Sequence, residues 1–123
     1  MSDHGMLDRL LLVYEDANRR LSTQAQTDLV ELLSNTATLM KRFAHDFHEK
    51  LEEDLVFPRF EKARTQQQLV GVLRRQHLAG RTLTDDIQRH STGLLLSSVE
   101  ARTSLSALVA SFVRMYRPHH ARE

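Results

Sequence analysis

The chain is predicted to be all-α, an up-down-up-down bundle of four helices, and three observations carry that prediction. Apolar residues recur at three- and four-residue spacing over long stretches. Only 4 Gly and 2 Pro punctuate 123 residues. Strand-like alternation is absent, and Leu, Ala, Arg, Glu and Gln dominate, a composition that favours helices.

The first periodic segment spans roughly Asp3 to Leu21, with Leu7, Leu11, Tyr14 and Asn18 on the stripe that also carries His4. Thr23 and Gln26 have capping-box spacing and mark the first turn. A long second helix is expected from about Asp28 to Lys62. Its stripe is Leu29, Leu33, Thr36, Ala37, Met40, Ala44, Phe47, Leu51 and Leu55, and Pro58 is expected to kink it. After a turn at Arg64–Thr65, the third helix covers Gln66 to His90, with Leu69, Leu73, His77, Gly80, Thr84 and Ile87 inward and Gly93 as C-cap. Ser97 and Glu100 suggest a second capping box. The fourth helix follows, with Leu105, Leu108, Phe112, Met115 and Tyr116 inward. Short turns between four amphipathic helices lead to antiparallel packing.

The length fits one domain, residues 1–123, which buries roughly two-thirds of its unfolded surface. There is no cysteine, so disulfides, iron–sulfur clusters and thiolate metal sites are excluded. The 17 basic and 16 acidic residues alternate and leave a net charge of +1, so no nucleic-acid footprint stands out. No apolar run approaches the ~18 residues of a membrane span. Charges near the N-terminus interrupt any signal-peptide core, which points to the cytoplasm.

Function is carried by a short pattern that occurs at His48–Glu52 and again at His119–Glu123. Residues four apart on a helix share a face, so each copy presents one imidazole and one carboxylate to a common point. His48 and His77 are nearly symmetric about the Lys62–Thr65 turn. His4 and His48 relate similarly to the first turn, and His77 and His119 to the third. In antiparallel hairpins such residues lie at one height, so all four histidines can meet, one per helix. At ~100° per residue they face the seam or its inner edge, whereas His90 is peripheral and His120 is turned away from His119. Four inward imidazoles and two carboxylates suit a pair of metal ions, because burying them without a partner is costly.

The segments Asp-His-Gly-Met-Leu-Asp-Arg at 3–9, Phe-His-Glu-Lys-Leu-Glu-Glu-Asp-Leu-Val-Phe-Pro at 47–58, Arg-Gln-His-Leu-Ala-Gly-Arg at 75–81 and Met-Tyr-Arg-Pro-His-His-Ala-Arg-Glu at 115–123 resemble the bacterial hemerythrin-like proteins, the HHE cation-binding domains. The resemblance spans essentially the whole chain. It implies a bundle around a non-haem di-iron centre, oxo- or hydroxo-bridged, with zinc or manganese as substitutes. The implied ligands are His4, His48, Glu52, His77, His119 and Glu123, with the two glutamates bridging. Oxygen-carrying hemerythrins have a second histidine one turn after the third-helix His; here that position is Arg81. The family often continues past the last glutamate, so the fourth helix reads as truncated, with self-association as one way to cover that end.

The resemblance implies binding of dioxygen or a related small ligand for sensing, storage or transport, with no residue assigned a catalytic role. The alternatives are a di-iron oxidoreductase acting on peroxide or nitric oxide, and a metal-free helical interaction module. Tyr14, Glu15, His45, Glu53, Arg81 and Tyr116 lie within a few turns of the expected ligands. Each either supports a ligand by hydrogen bonding or has an ordinary role: core aromatic for the tyrosines, solvated residue for His45 and Glu53, and surface ion pair for Arg81.

Overall fold

In the computed structural model, residues 3–23 and 27–122 are described, apart from the side chains of residues 3, 4, 22, 23, 94 and 119–122. Helix α1 (Asp3–Thr23) buries Leu7, Leu10, Leu11, Tyr14, Ala17 and Leu21, the three-and-four spacing of an amphipathic helix. The expected Thr23–Gln26 cap lies outside the described residues.

Residues 27–63 form one uninterrupted helical rod whose winding changes along its length. It begins as α2 (Thr27–Leu39), widens into a π-helical stretch, π1 (Met40–Glu49), and widens again in π2 (Glu52–Val56) before ending as α3 (Phe57–Ala63). This corrects two sequence expectations. Pro58 does not break the rod: it occupies the first turn of α3, where its missing N–H matters least. Phe47, Leu51 and Leu55, predicted to be inward, are 55%, 44% and 53% exposed. A π turn closes on the fifth residue rather than the fourth, so each residue advances less than 100°. Buried positions therefore fall at Met40, Ala44, His45, Glu49 and Phe57, and the apolar row that the α period placed inside rotates outward.

The rod ends in a Schellman arrangement. Arg64 is left-handed (φ 57°), its N–H donates to Glu61 O at 3.1 Å, and Thr65 N–H reaches Phe60 O at 3.0 Å. Helix α4 (Gln67–His90) follows, with Leu73, His77, Gly80, Thr84 and Ile87 buried as expected. It stops at Ser91, whose hydroxyl donates to Ile87 O at 2.7 Å. Gly93 is therefore not the cap; it opens a 3₁₀ turn (Gly93–Leu96). Helix α5 (Val99–Arg122) passes through Pro118. Its N-cap is Ser98 rather than Ser97: Ser98 Oγ accepts from Ala101 N–H at 3.1 Å.

The four rods are each packed against two neighbours, in the cycle α1, the 27–63 rod, α4, α5. The described residues contain no strand. The fold is thus the all-α four-helix bundle that the sequence predicts. One large apolar cluster runs through all four rods, and a smaller one (Phe57, Val70, Leu73) sits towards the α3–α4 turn. Polar side chains of π1, π2 and α4 occupy the layer between the two clusters.

Candidate metal centre

The His48–Glu52 pair and His77 converge. Glu52 Oε1 lies 3.6 Å from His48 Nε2 and 3.5 Å from His77 Nε2. The His77 side chain is fully buried, and those of His48 and Glu52 are 13% exposed. The π winding contributes directly, because it keeps His48 and Glu52 stacked while turning Glu49 and His45 into the bundle. Phe57 stacks on the His77 ring at 5.5 Å and closes one side.

His77 is oriented from behind. Its Nδ1–H donates to Glu53 Oε2 at 2.7 Å, so Nε2 is the nitrogen turned towards Glu52. Arg81 Nη2 holds the same carboxylate at 3.0 and 3.1 Å and also donates to the His45 carbonyl at 3.3 Å. Burial pushes the Glu53 carboxyl up, but hydrogen bonds from His77 and Arg81 and the guanidinium charge outweigh it, leaving the group below the ordinary carboxylate range. A carboxylate behind an imidazole is how metal-bound histidines are commonly held.

Next to this lies a second chain of polar groups, in which His45, Glu49, Thr84 and Tyr116 are buried. His45 Nδ1–H donates to Glu49 Oε1 at 2.9 Å, and His45 Nε2 accepts from the Thr84 hydroxyl at 2.8 Å. The Tyr116 hydroxyl donates to Glu49 Oε2, and Arg81 Nε stands 3.6 Å from Glu49 Oε1. Gly80 makes room for this group: a Cβ there would sit 3.3 Å from Met115 Cε and 3.5 Å from His45 Cε1.

The supporting residues proposed from sequence therefore divide. Glu53, Arg81, Tyr116 and His45 line the layer, so His45 and Glu53 are not solvated and Arg81 is more than a surface pair. Arg81 holds Glu53 and Glu49, not Glu52. Tyr14 is a core aromatic, edge-on to Phe112 at 5.4 Å. Its hydroxyl has no hydrogen-bond partner among the described residues, and burial drives its pKa upward. Glu15 forms an ion pair with Arg117 at the surface, and among the described residues it contacts no imidazole. His90 is exposed and caps Asp86 O at 2.7 Å, as its peripheral position predicted. The side chains of His4, His119 and His120, and all of Glu123, lie outside the described residues.

Glu49 and Thr84 were missed as polar partners in the sequence reading, although a signal for Glu49 was present. His45–Glu49 repeats the His-x-x-x-Glu spacing three residues before His48–Glu52, and each His-to-Glu step spans one turn.

The described donors fit part of a metal centre. Two ligand atoms, each ~2.1 Å from one ion, stand about 3.0–3.4 Å apart at tetrahedral or octahedral angles. The two nitrogen-to-oxygen separations here are slightly wider, 3.5 and 3.6 Å. A cation between these groups would offset the charge of the Glu52 carboxylate, as would a proton on the facing imidazole nitrogen. Among the described residues, no three His, Cys, Asp or Glu side chains by themselves form a closed cation site.

The family described as "Hemerythrin HHE cation binding domain" matches residues 1–123. The chain belongs to this family. It is also similar to uncharacterized proteins of Mycobacterium bovis and Mycobacterium tuberculosis. Identity is 39% over 123 residues, covering 100% of this chain and 48% of each relative. The HHE domain seen here thus spans about half the length of those curated relatives. No solved structure matches it. No described helix is long and apolar enough to cross a membrane.

Proposed function

We propose that this HHE domain holds a non-haem di-iron centre and binds dioxygen or a related small ligand there for sensing, storage or transport. The observation that carries the reading is Glu52 Oε1 standing between His48 Nε2 and His77 Nε2, with His77 fixed by Glu53 and Arg81. On this reading His48, Glu52 and His77 supply three of the protein ligands. His4, His119 and Glu123, from the two ends of the chain, would supply the rest. Imidazole and carboxylate donors suit iron, and also zinc or manganese. Bound iron would supply an electron-rich site for a diatomic ligand.

The protein's own part is positioning and exclusion of water. Glu53 fixes the His77 tautomer, Arg81 holds Glu53 in place, and Phe57 shields the ring face. Beside Glu52 is a cavity of about 150 Å³ walled by Val56, Phe57, Phe60, Leu69, Val70 and Leu73, with Gln66 as its other polar lining residue. An opening lined in this way admits a small apolar molecule more readily than an ion or a sugar. Sensing, storage or transport needs only binding.

Protein expressed with added iron, analysed for metal content and by optical absorption, tests the reading. A pair of irons per chain with ligand-to-metal charge-transfer bands is expected, and Glu52→Ala should lose both. Iron-free protein from iron-replete cells that fails to take up iron, zinc or manganese in vitro would refute it.

A further inference from the structure

The π winding that brings Glu49 and His45 inward leaves an apolar row facing solvent. Leu39, Phe43, Phe47, Leu51 and Leu55 recur every four residues, and all are between 37% and 55% exposed. In an α-helix an i+4 row drifts by about 40° per step. The wider turns of π1 and π2 counter that drift, so this row keeps to one side of the rod over roughly 20 Å. An apolar seam of this length is the surface one helix presents to another helix. Scattered exposed leucines need no explanation, but a contiguous row of large side chains marks an interaction site.

The charges beside the seam say what fits it. Arg42, Asp46, Lys50 and Asp54 occupy the positions just before Phe43, Phe47, Leu51 and Leu55, so they form one row along the same flank, alternating plus, minus, plus, minus. All four side chains belong to exposed residues. When two identical helices pair antiparallel, the same flank of each meets across the seam. With the two-fold axis beside residue 48, Arg42 faces Asp54 of the second copy and Asp46 faces its Lys50. Each relation is repeated by symmetry, as an isologous contact requires. In that register Phe47 of one copy lands midway between Phe47 and Leu51 of the other, so the apolar rows interdigitate. Sliding the pair by one turn sets Asp46 against Asp46, or Lys50 against Lys50. The charge row therefore favours one alignment and opposes its neighbours. Lys50 lies 3.5 Å from Asp54 of its own helix, so in the pair it lies between two acidic groups.

We infer that the exposed face of the 27–63 rod is a homodimer interface, in which two copies of this chain pack antiparallel along Leu39–Leu55 with Arg42–Asp54 and Asp46–Lys50 contacts across a two-fold axis. None of the residues placed in this interface is among the proposed ligands.

The test is sedimentation equilibrium across a range of protein concentrations, with circular dichroism to confirm helicity. The parent chain is expected to show a reversible monomer–dimer equilibrium. Phe47→Glu, a change on an exposed side chain, should leave a folded monomer. Arg42→Asp should weaken dimerisation by about tenfold, since symmetry places two repulsive pairs in each dimer. Combining it with Asp54→Arg should restore the parent affinity. A parent that stays monomeric at every concentration would overturn the inference, as would a dimer indifferent to Phe47→Glu. A dimer weakened by Arg42→Asp but not rescued by the swap would refute the proposed register.

Discussion

Tyr116→Phe is a sharp test of the enclosed polar chain. The substitution keeps the ring, including its stacking on Phe112 at 5.0 Å, and removes only the hydroxyl that donates to Glu49 Oε2. Glu49 is fully buried, so water cannot replace the lost donor. His45 still serves the other carboxyl oxygen at 2.9 Å, and Arg81 remains at 3.6 Å, which limits the damage to one acceptor site. Removing one partner from a buried acceptor costs about 1–3 kcal/mol, so a loss of roughly 2 kcal/mol is expected. For a domain of this size that is a fall in melting temperature of about 8 °C, at about 4 °C per kcal/mol. The assay is thermal and urea unfolding of chelator-treated protein, so that metal binding does not contribute. A loss below about 0.5 kcal/mol, with helicity unchanged, would refute the argument that Tyr116 satisfies Glu49.

Other outcomes follow from the same geometry. Tyr14→Phe removes a buried hydroxyl with no described partner and should raise stability by about 1 kcal/mol at neutral pH. Because burial raises the Tyr14 pKa, its contribution is present below the ordinary tyrosine value of about 10 and fades above it as the unfolded chain ionises, so the variant should resist alkaline unfolding better than the parent. A destabilised Tyr14→Phe would mean that the hydroxyl is in use. Glu53 has the opposite sign. Its lowered pKa gives stability that is present above about pH 4.3 and lost as pH falls through the folded value. Glu53→Gln should therefore flatten the acid limb of a stability-against-pH curve; a curve superimposable on the parent's would contradict this. Arg81→Ala leaves the proposed ligands in place but frees Glu53, and should lower metal affinity about 10–100-fold in a competition titration. Unchanged affinity would show that Glu53 needs no anchor.

The His48–Glu52 pair was legible from spacing alone, because four residues make nearly one turn in either helix type. His77 was legible because it lies on a regular α stripe with Leu73 and Thr84, and because hairpin symmetry sets its height opposite His48. The roles of Glu53 and Arg81 were only partly legible: proximity pointed to them, but which carboxylate Arg81 holds depends on how far π2 is wound. Phe47, Leu51 and Leu55 were misplaced for the same reason, since the α period was applied to residues that do not follow it.

What the sequence determined by itself is the set of helical rods and the shared height of His48 and His77, since these depend on local periodicity and chain length between turns. Tertiary structure decided which face of the long rod points inward. A π turn gives up ideal local geometry, and here Thr84, Arg81 and Tyr116 on the facing helices satisfy the His45 and Glu49 side chains that this winding turns inward. Those partners lie tens of residues away along the chain, out of reach of any window read along the sequence.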